Sequence, residues 1–228
     1  MSGLDLNRFR SRGIGALLTA GQLEHLQELA APRHWQKGVR FFQQGDMPTE
    51  LFLLLEGRVS LISQRADGEQ AVLDIIAEGD ACPLANVVLA QALTYSGEAL
   101  TAVKALAIPV SAFRQLLREE ADLSQLVMRQ LAQEWSVMAD QNRALKLQNT
   151  NQRLAHFLLQ HTDADDGAVE IRLLDERRLL ARRLGMTPES LSRAIANLGQ
   201  CGVEFAQQRV LIRNVDRLRQ FCGLEVVS

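Results

Sequence analysis

Glu189, Ser190, Ser192 and Arg193 stand within five consecutive residues, just behind Thr187 and Pro188, in the segment DERRLLARRLGMTPESLSRAIANL that spans 175–198. A guanidinium, a carboxylate and two hydroxyls in so short a run can hydrogen-bond to a patterned polar surface such as the edges of nucleobases. Arginine can bond guanine O6 and N7 as a fork, glutamate can accept from cytosine N4, and serine can contact bases or phosphate. Glu189 and Arg193 are four residues apart and share one face of a helix. The pair can also form a plain surface salt bridge. The two readings are compatible, because such a bridge would orient Arg193.

That face needs a helix presented end-on, and the flanking residues supply the signals for one. Thr187 suits the N-cap, Pro188 the first helical position, and Glu189 complements the positive end of the helix dipole. Leu191, Ala194, Ile195 and Leu198 make the apolar face of this second helix. A first helix is expected over Asp175–Leu184, with Leu179, Leu180 and Leu184 inward and the small Ala181 where the helices cross. Gly185 follows where a helix ends in a left-handed residue. Cap, turn and both apolar faces agree on a helix-turn-helix, against the alternative of an ordinary helical hairpin. Beyond it, Val203–Phe205 and Val210–Arg213 flank a polar tip, 206–209, and read as a β-wing with Arg209 placed for phosphate.

Charge supports this placement. The chain carries a net charge of −2, yet between Glu170 and Gln220 ten arginines face six carboxylates, a local +4 that leaves −6 elsewhere. Screening over about 8–10 Å makes the local balance the relevant one for phosphate contact.

Upstream, the region from Ala112 to about Gln160 holds good helix formers and an apolar series that includes Leu117, Leu123, Val127, Leu131, Met138, Leu145 and Leu154. The spacing predicts one long helix with a narrow stripe. Such a stripe fits pairing with a second helix better than packing on a globular core, so Leu123, Val127, Leu131, Met138 and Leu145 are the expected homodimer contacts. Asn142 interrupts the stripe and either sets register or faces solvent. Residues 33–112 carry short apolar runs separated by glycine turns, at Val39–Phe42, Leu51–Leu55, Val59–Ile62, Ala71–Ile76, Leu100–Val103 and Leu106–Val110. This rhythm predicts a β-barrel or sandwich. Thr19–Ala30 reads as a helix ahead of it.

At 47% hydrophobic and 23% charged residues, the composition is that of an ordinary soluble protein. No signal peptide is evident in MSGLDLNRFRSRG, and no apolar stretch reaches the ~20 residues of a membrane span. The expectation is a cytoplasmic protein without a membrane partner. Cys82, Cys201 and Cys222 form no metal spacing. They read as buried thiols, with a redox role for Cys201 beside the second helix as the sharper alternative. No nucleophile–base pair, phosphate-cradling loop or metal cluster points to an enzyme.

With these parts in order, the chain from about Leu17 to Phe221 resembles the Crp/Fnr family of bacterial regulators. The β-region has the family's glycine frame in Gly45-Asp46, Leu51–Leu54, Gly57 and Gly79-Asp80, and Glu189-Ser190-Leu191-Ser192-Arg193 looks like the E-x-x-S-R of the Fnr branch. The resemblance implies an α+β chain: an N-terminal helix and β-roll, a cyclic-nucleotide-binding-like jelly roll, over 1–112; a long dimerisation helix over 113–160; and a winged helix-turn-helix over 161–228. It implies that a homodimer binds double-stranded DNA at a palindromic, TTGAT-like site. Glu189, Ser192 and Arg193 would read bases; Arg178, Thr187, Ser190 and Arg209 would contact phosphates; RNA polymerase would be a further partner.

The effector is less determined. The cAMP-binding branch uses a Gly-Glu pair and then Arg-Ser-Ala, whereas here no arginine lies between Gly79 and Ile108, so a buried phosphate would lack its cation. The iron–sulfur branch needs four cysteines, chiefly near the N-terminus, and none precedes Cys82. Cys82-Pro83 resembles a haem-binding Cys-Pro motif, with His25 and His34, and more remotely His156 and His161, as further ligands. Haem with NO or CO sensing, another small molecule, or no ligand all stay open. So does a sensor or scaffold protein that binds DNA weakly.

Overall fold

The computed structural model describes residues 9–10, 13–162, 164, 166–173 and 175–221, so Cys222 lies outside the described residues. The chain divides into two compact units, 1–136 and 137–228.

In the first unit, helices α1 (Gly13–Leu17) and α2 (Ala20–Leu29) precede strands β1 (Ala31–Trp35), β2 (Arg40–Phe42), β3 (Glu50–Glu56), β4 (Arg58–Gln64), β5 (Gln70–Ala77) and β6 (Ala81–Cys82). Helix α3 (Leu84–Leu89), strands β7 (Ser96–Ala99) and β8 (Val103–Pro109), and helices α4 (Val110–Glu119) and α5 (Ala121–Leu147) follow. The strands form two antiparallel sheets, ordered β1-β8-β3-β6 and β2-β7-β4-β5.

Strand β3 reads Leu-Phe-Leu-Leu-Leu without polar alternation because it is buried on both faces. Phe52 and Leu54 point between the sheets, joining Val59, Ile76, Cys82 and Ala107. Leu51, Leu53 and Leu55 point the other way, onto Leu23 and Leu26 of α2 and Phe113 of α4. Leu100–Val103 is not the strand its sequence suggested. Only Val103 enters β8, since the chain at Ala102 presses against the backbone of Gly57, where a Cβ would strike the Ala102 carbonyl.

The long helix expected over 112–160 is three helices. Asn149 breaks it: its side chain accepts from the Gln152 N–H at 3.0 Å while Gln152 Oε1 accepts from the Asn149 N–H at 3.0 Å, a reciprocal cap that starts helix α6 (Thr150–Leu159) afresh. Leu123 and Val127 are 1% and 3% exposed, buried with the helix-facing side of β3. They are core residues, which corrects their assignment to a dimer stripe. The exposed apolar face of α5 is a different series: Met128 (61%), Trp135 (73%), Met138 (53%) and Leu145 (50%), with the half-buried Leu131 and exposed Asn142 between. These six positions step by three and four residues alternately, the seam spacing of a coiled coil.

In the second unit, α6, β9 (Val169–Arg172), α7 (Arg177–Arg183), α8 (Pro188–Gly199), β10 (Val203–Ala206), β11 (Arg209–Ile212) and α9 (Val215–Phe221) enclose one core. Its centre is Leu154 and Leu158 of α6, Ala194 and Leu198 of α8, and Ile212 of β11, all fully buried. The sheet order is β10-β11-β9. Leu154→Ala should lower the stability of this unit by about 2–5 kcal/mol, the usual cost of a cavity at a buried leucine. A lower denaturant midpoint by far-UV circular dichroism would show it.

Candidate nucleic-acid interface

Helices α7 and α8 meet at a turn that needs glycine twice over. Gly185 has φ +61°, and a Cβ there would lie 3.0 Å from Leu145 Cδ2. The Gly185 N–H bonds the Arg182 carbonyl at 3.2 Å, and the Met186 N–H bonds the Ala181 carbonyl at 2.9 Å, so the end of α7 is closed by its own backbone. Ala181 is 1% exposed and lets the helices approach. Helix α8 then buries Leu191, Ala194 and Leu198.

The opposite side of α8 is open. Glu189, Ser192 and Arg193 are all exposed, at the N-terminal end of the helix. Thr187 accepts the Ser190 N–H at 3.2 Å as the N-cap. The Ser192 hydroxyl donates to the Pro188 carbonyl at 3.0 Å, which leaves its lone pairs outward as acceptors. Arg193 Nη2 donates to Ser190 Oγ at 3.1 Å. The carboxyl of Glu189 is held below the ordinary carboxylate range, first by its own backbone N–H, then by the Thr187 hydroxyl, with Arg193 adding to the effect. The expected Glu189–Arg193 bridge is thus an attraction through space, while Ser190 makes the hydrogen bond to Arg193.

Of the expected phosphate contacts, Arg178 is exposed on α7, and Thr187 and Ser190 lie 3.1 Å apart through their hydroxyls. Arg209 opens β11 beside the Gln207-Gln208 tip. Its guanidinium bonds Glu170 of β9 at 3.2 Å, both side chains well exposed. An exposed pair of this kind is worth about 1 kcal/mol or less, so a phosphate can displace Glu170. The sequence reading missed β9, and with it this partner. It also missed Met128 and Trp135, although their spacing from Leu131 and Met138 carried the signal.

The three haem candidates do not converge. Cys82 is 2% exposed, packed between the sheets, and burial pushes its thiol far above the usual range, with Asp80 and Glu134 adding to the shift. His34 neighbours Trp35 on β1, and Trp35 packs toward the same inter-sheet core as Cys82. Successive strand residues face opposite ways, so His34 points away from Cys82. His25 on α2 instead meets Glu120 at 2.9 Å. Among the described residues no group of three or more His, Cys, Asp or Glu could hold a metal. These side chains do not fit a haem held between Cys82 and either histidine.

Known proteins share this arrangement. Residues 32–120 match the cyclic nucleotide-binding domain family, and residues 152–221 match the Crp-like helix-turn-helix domain family. The chain is 26% identical over 214 residues to Electron transport regulator A of Shewanella oneidensis, covering 90% of this chain and 84% of that protein. It resembles in fold the structure of FixK2 from Bradyrhizobium japonicum (TM-score 0.73, 20% identity, 87% of this chain and 98% of that one). It likewise resembles a CooA variant from Carboxydothermus hydrogenoformans (TM-score 0.78, 18% identity, 94% and 99%).

The second unit also has a pH signature. His161 bonds the Phe157 carbonyl through Nδ1 at 2.7 Å, its ring 4.2 Å from that of Phe157. Burial lowers the pKa of His161, with Arg183 contributing. Burial and then Arg143 lower that of His156. A lowered imidazole pKa means that the unfolded chain takes up protons first as pH falls through its ordinary value of about 6.5, so stability is full above that pH and lost below it. Thermal unfolding of this unit should move to lower temperature between about pH 7 and pH 5, and His161→Gln should flatten the profile.

Proposed function

The chain belongs to the Crp/Fnr family of DNA-binding transcription regulators, and on that premise we propose that it reads DNA as a homodimer, each copy placing the start of α8 in the major groove of one half of a palindrome. The observation that carries this is the exposed face Glu189, Ser192 and Arg193 on a helix whose other face is buried. A recognition helix contacts base edges with its N-terminal residues, and two-fold related half-sites lie about one helical turn apart. In this reading Arg193 forks onto a guanine, Glu189 accepts from a cytosine, and Ser192 accepts from a base amino group, on half-sites resembling TTGAT. Arg178 and Arg209 neutralise phosphates, Thr187 and Ser190 add hydroxyl contacts to them, and RNA polymerase is the further partner.

The partner for the exposed seam of α5 is a second copy of the same helix. Met128, Leu131, Trp135, Met138 and Leu145 supply apolar contacts, and Asn142 sets the register of the pair. The β-roll gates DNA binding through a small molecule that is not a cyclic nucleotide. No arginine lies between Gly79 and Ile108 to pair with a buried phosphodiester. Haem is not part of the reading. Among the described residues no helix is long and apolar enough to cross a membrane, in keeping with a cytoplasmic regulator.

Two measurements test this. Arg193→Ala should cost about 1–3 kcal/mol on the preferred duplex and relax selection at one base pair; equal loss on every duplex would remove the base-reading role. Met138→Asp places a charge in the seam and should shift the protein to monomers in sedimentation, with specific DNA affinity falling in parallel. A variant still dimeric and still binding DNA as before would put the subunit contact elsewhere.

A further inference from the structure

The hydrogen bonds at the start of α8 form a connected run. Arg193 Nη2 donates to Ser190 Oγ at 3.1 Å, Ser190 Oγ lies 3.1 Å from Thr187 Oγ1, and Thr187 Oγ1 accepts the Ser190 N–H at 3.2 Å. A serine hydroxyl has one proton to give and two lone pairs to accept with, and either oxygen can donate in a hydroxyl–hydroxyl contact. With the Thr187 hydroxyl and the Arg193 guanidinium both donating to Ser190 Oγ, the two lone pairs of the serine are used.

We propose that Ser190 is a positioning residue for base reading: its hydroxyl holds the Arg193 guanidinium against the Thr187 cap, so the arginine enters the groove with its direction already set. This rests on the reading that Arg193 contacts a base. An exposed arginine otherwise samples many rotamers, and a long side chain fixed before docking loses less freedom on binding. Thr187 is held in place by the backbone N–H of Ser190, so it forms a rigid post that does not depend on the serine side chain. The role is additional to a phosphate contact by Ser190, which strengthens binding to every duplex alike and so leaves discrimination unchanged.

The experiment compares wild type with Ser190→Ala, Ser190→Thr, Arg193→Ala and the double variant Ser190→Ala/Arg193→Ala. Each is titrated against the preferred palindrome and duplexes altered at each half-site base pair in turn. Arg193→Ala identifies the pair read by the arginine. Ser190→Ala is expected to lower discrimination at that same pair by about threefold to tenfold, the size of one net hydrogen bond. Ser190→Thr should restore it, and Ser190→Ala should have no further effect on discrimination once Arg193 is gone. Thermal unfolding of Ser190→Ala should match wild type, because the backbone cap is intact. Equal weakening on all duplexes, or unchanged discrimination at the Arg193 pair, would overturn the proposal while leaving base reading by Arg193 in place. If Arg193→Ala relaxes no pair, base reading itself fails and the proposal with it.

Discussion

The arrangement of the helix-turn-helix depends on one division of labour around the twelve-residue helix α8. Leu191, Ala194 and Leu198 are sunk in the core while Glu189, Ser192 and Arg193 stand in solvent. A polar side chain can report on a partner's hydrogen-bonding pattern only if the backbone beneath it does not move to suit the wrong partner. Burial of the opposite face provides that stiffness, at roughly 1.5–3 kcal/mol for each large apolar side chain removed from water. The close turn at Gly185 sets where the helix starts, and the Thr187 cap sets how it starts. Both are local devices, and both would be idle without the buried face.

A similar division governs α5. Its N-terminal third gives Leu123, Leu126 and Val127 to the core below β3, while another face keeps Met128, Trp135 and Met138 in water. One helix therefore serves an internal core and an unsatisfied seam.

Much of this was legible in the sequence, and the parts that were not have physical reasons. The helix-turn-helix was legible because cap, proline, glycine and apolar spacing are local signals that tertiary structure did not override. Strand β1 was not, because Ala31-Pro32-Arg33-His34-Trp35 contains a proline and three exposed residues. It is tolerated because β1 lies at the edge of its sheet. Strand β7 was hidden by Gly97, whose missing side chain makes room for the Phe42 ring. Periodicity detected the apolar positions of α5 but could not say which of two surfaces each belonged to, so Leu123 and Val127 were given to the seam and Trp135 was passed over. The break before α6 carried a visible signal, Asn149 and Gln152 at capping-box spacing, within an otherwise uninterrupted run of helix formers.

The space that Gly185 leaves for Leu145 bears on how this protein could be recombined with its relatives. Leu145 sits in the last turns of α5, forty residues ahead of the glycine, and a side chain at 185 would crowd it. A chimera spliced at the polar loop after α6 would pair one parent's residue 145 with another parent's residue 185 and could bring two side chains into the same space. Splicing near Val137, ahead of the second unit, would carry both residues together and preserve the turn that seats α8.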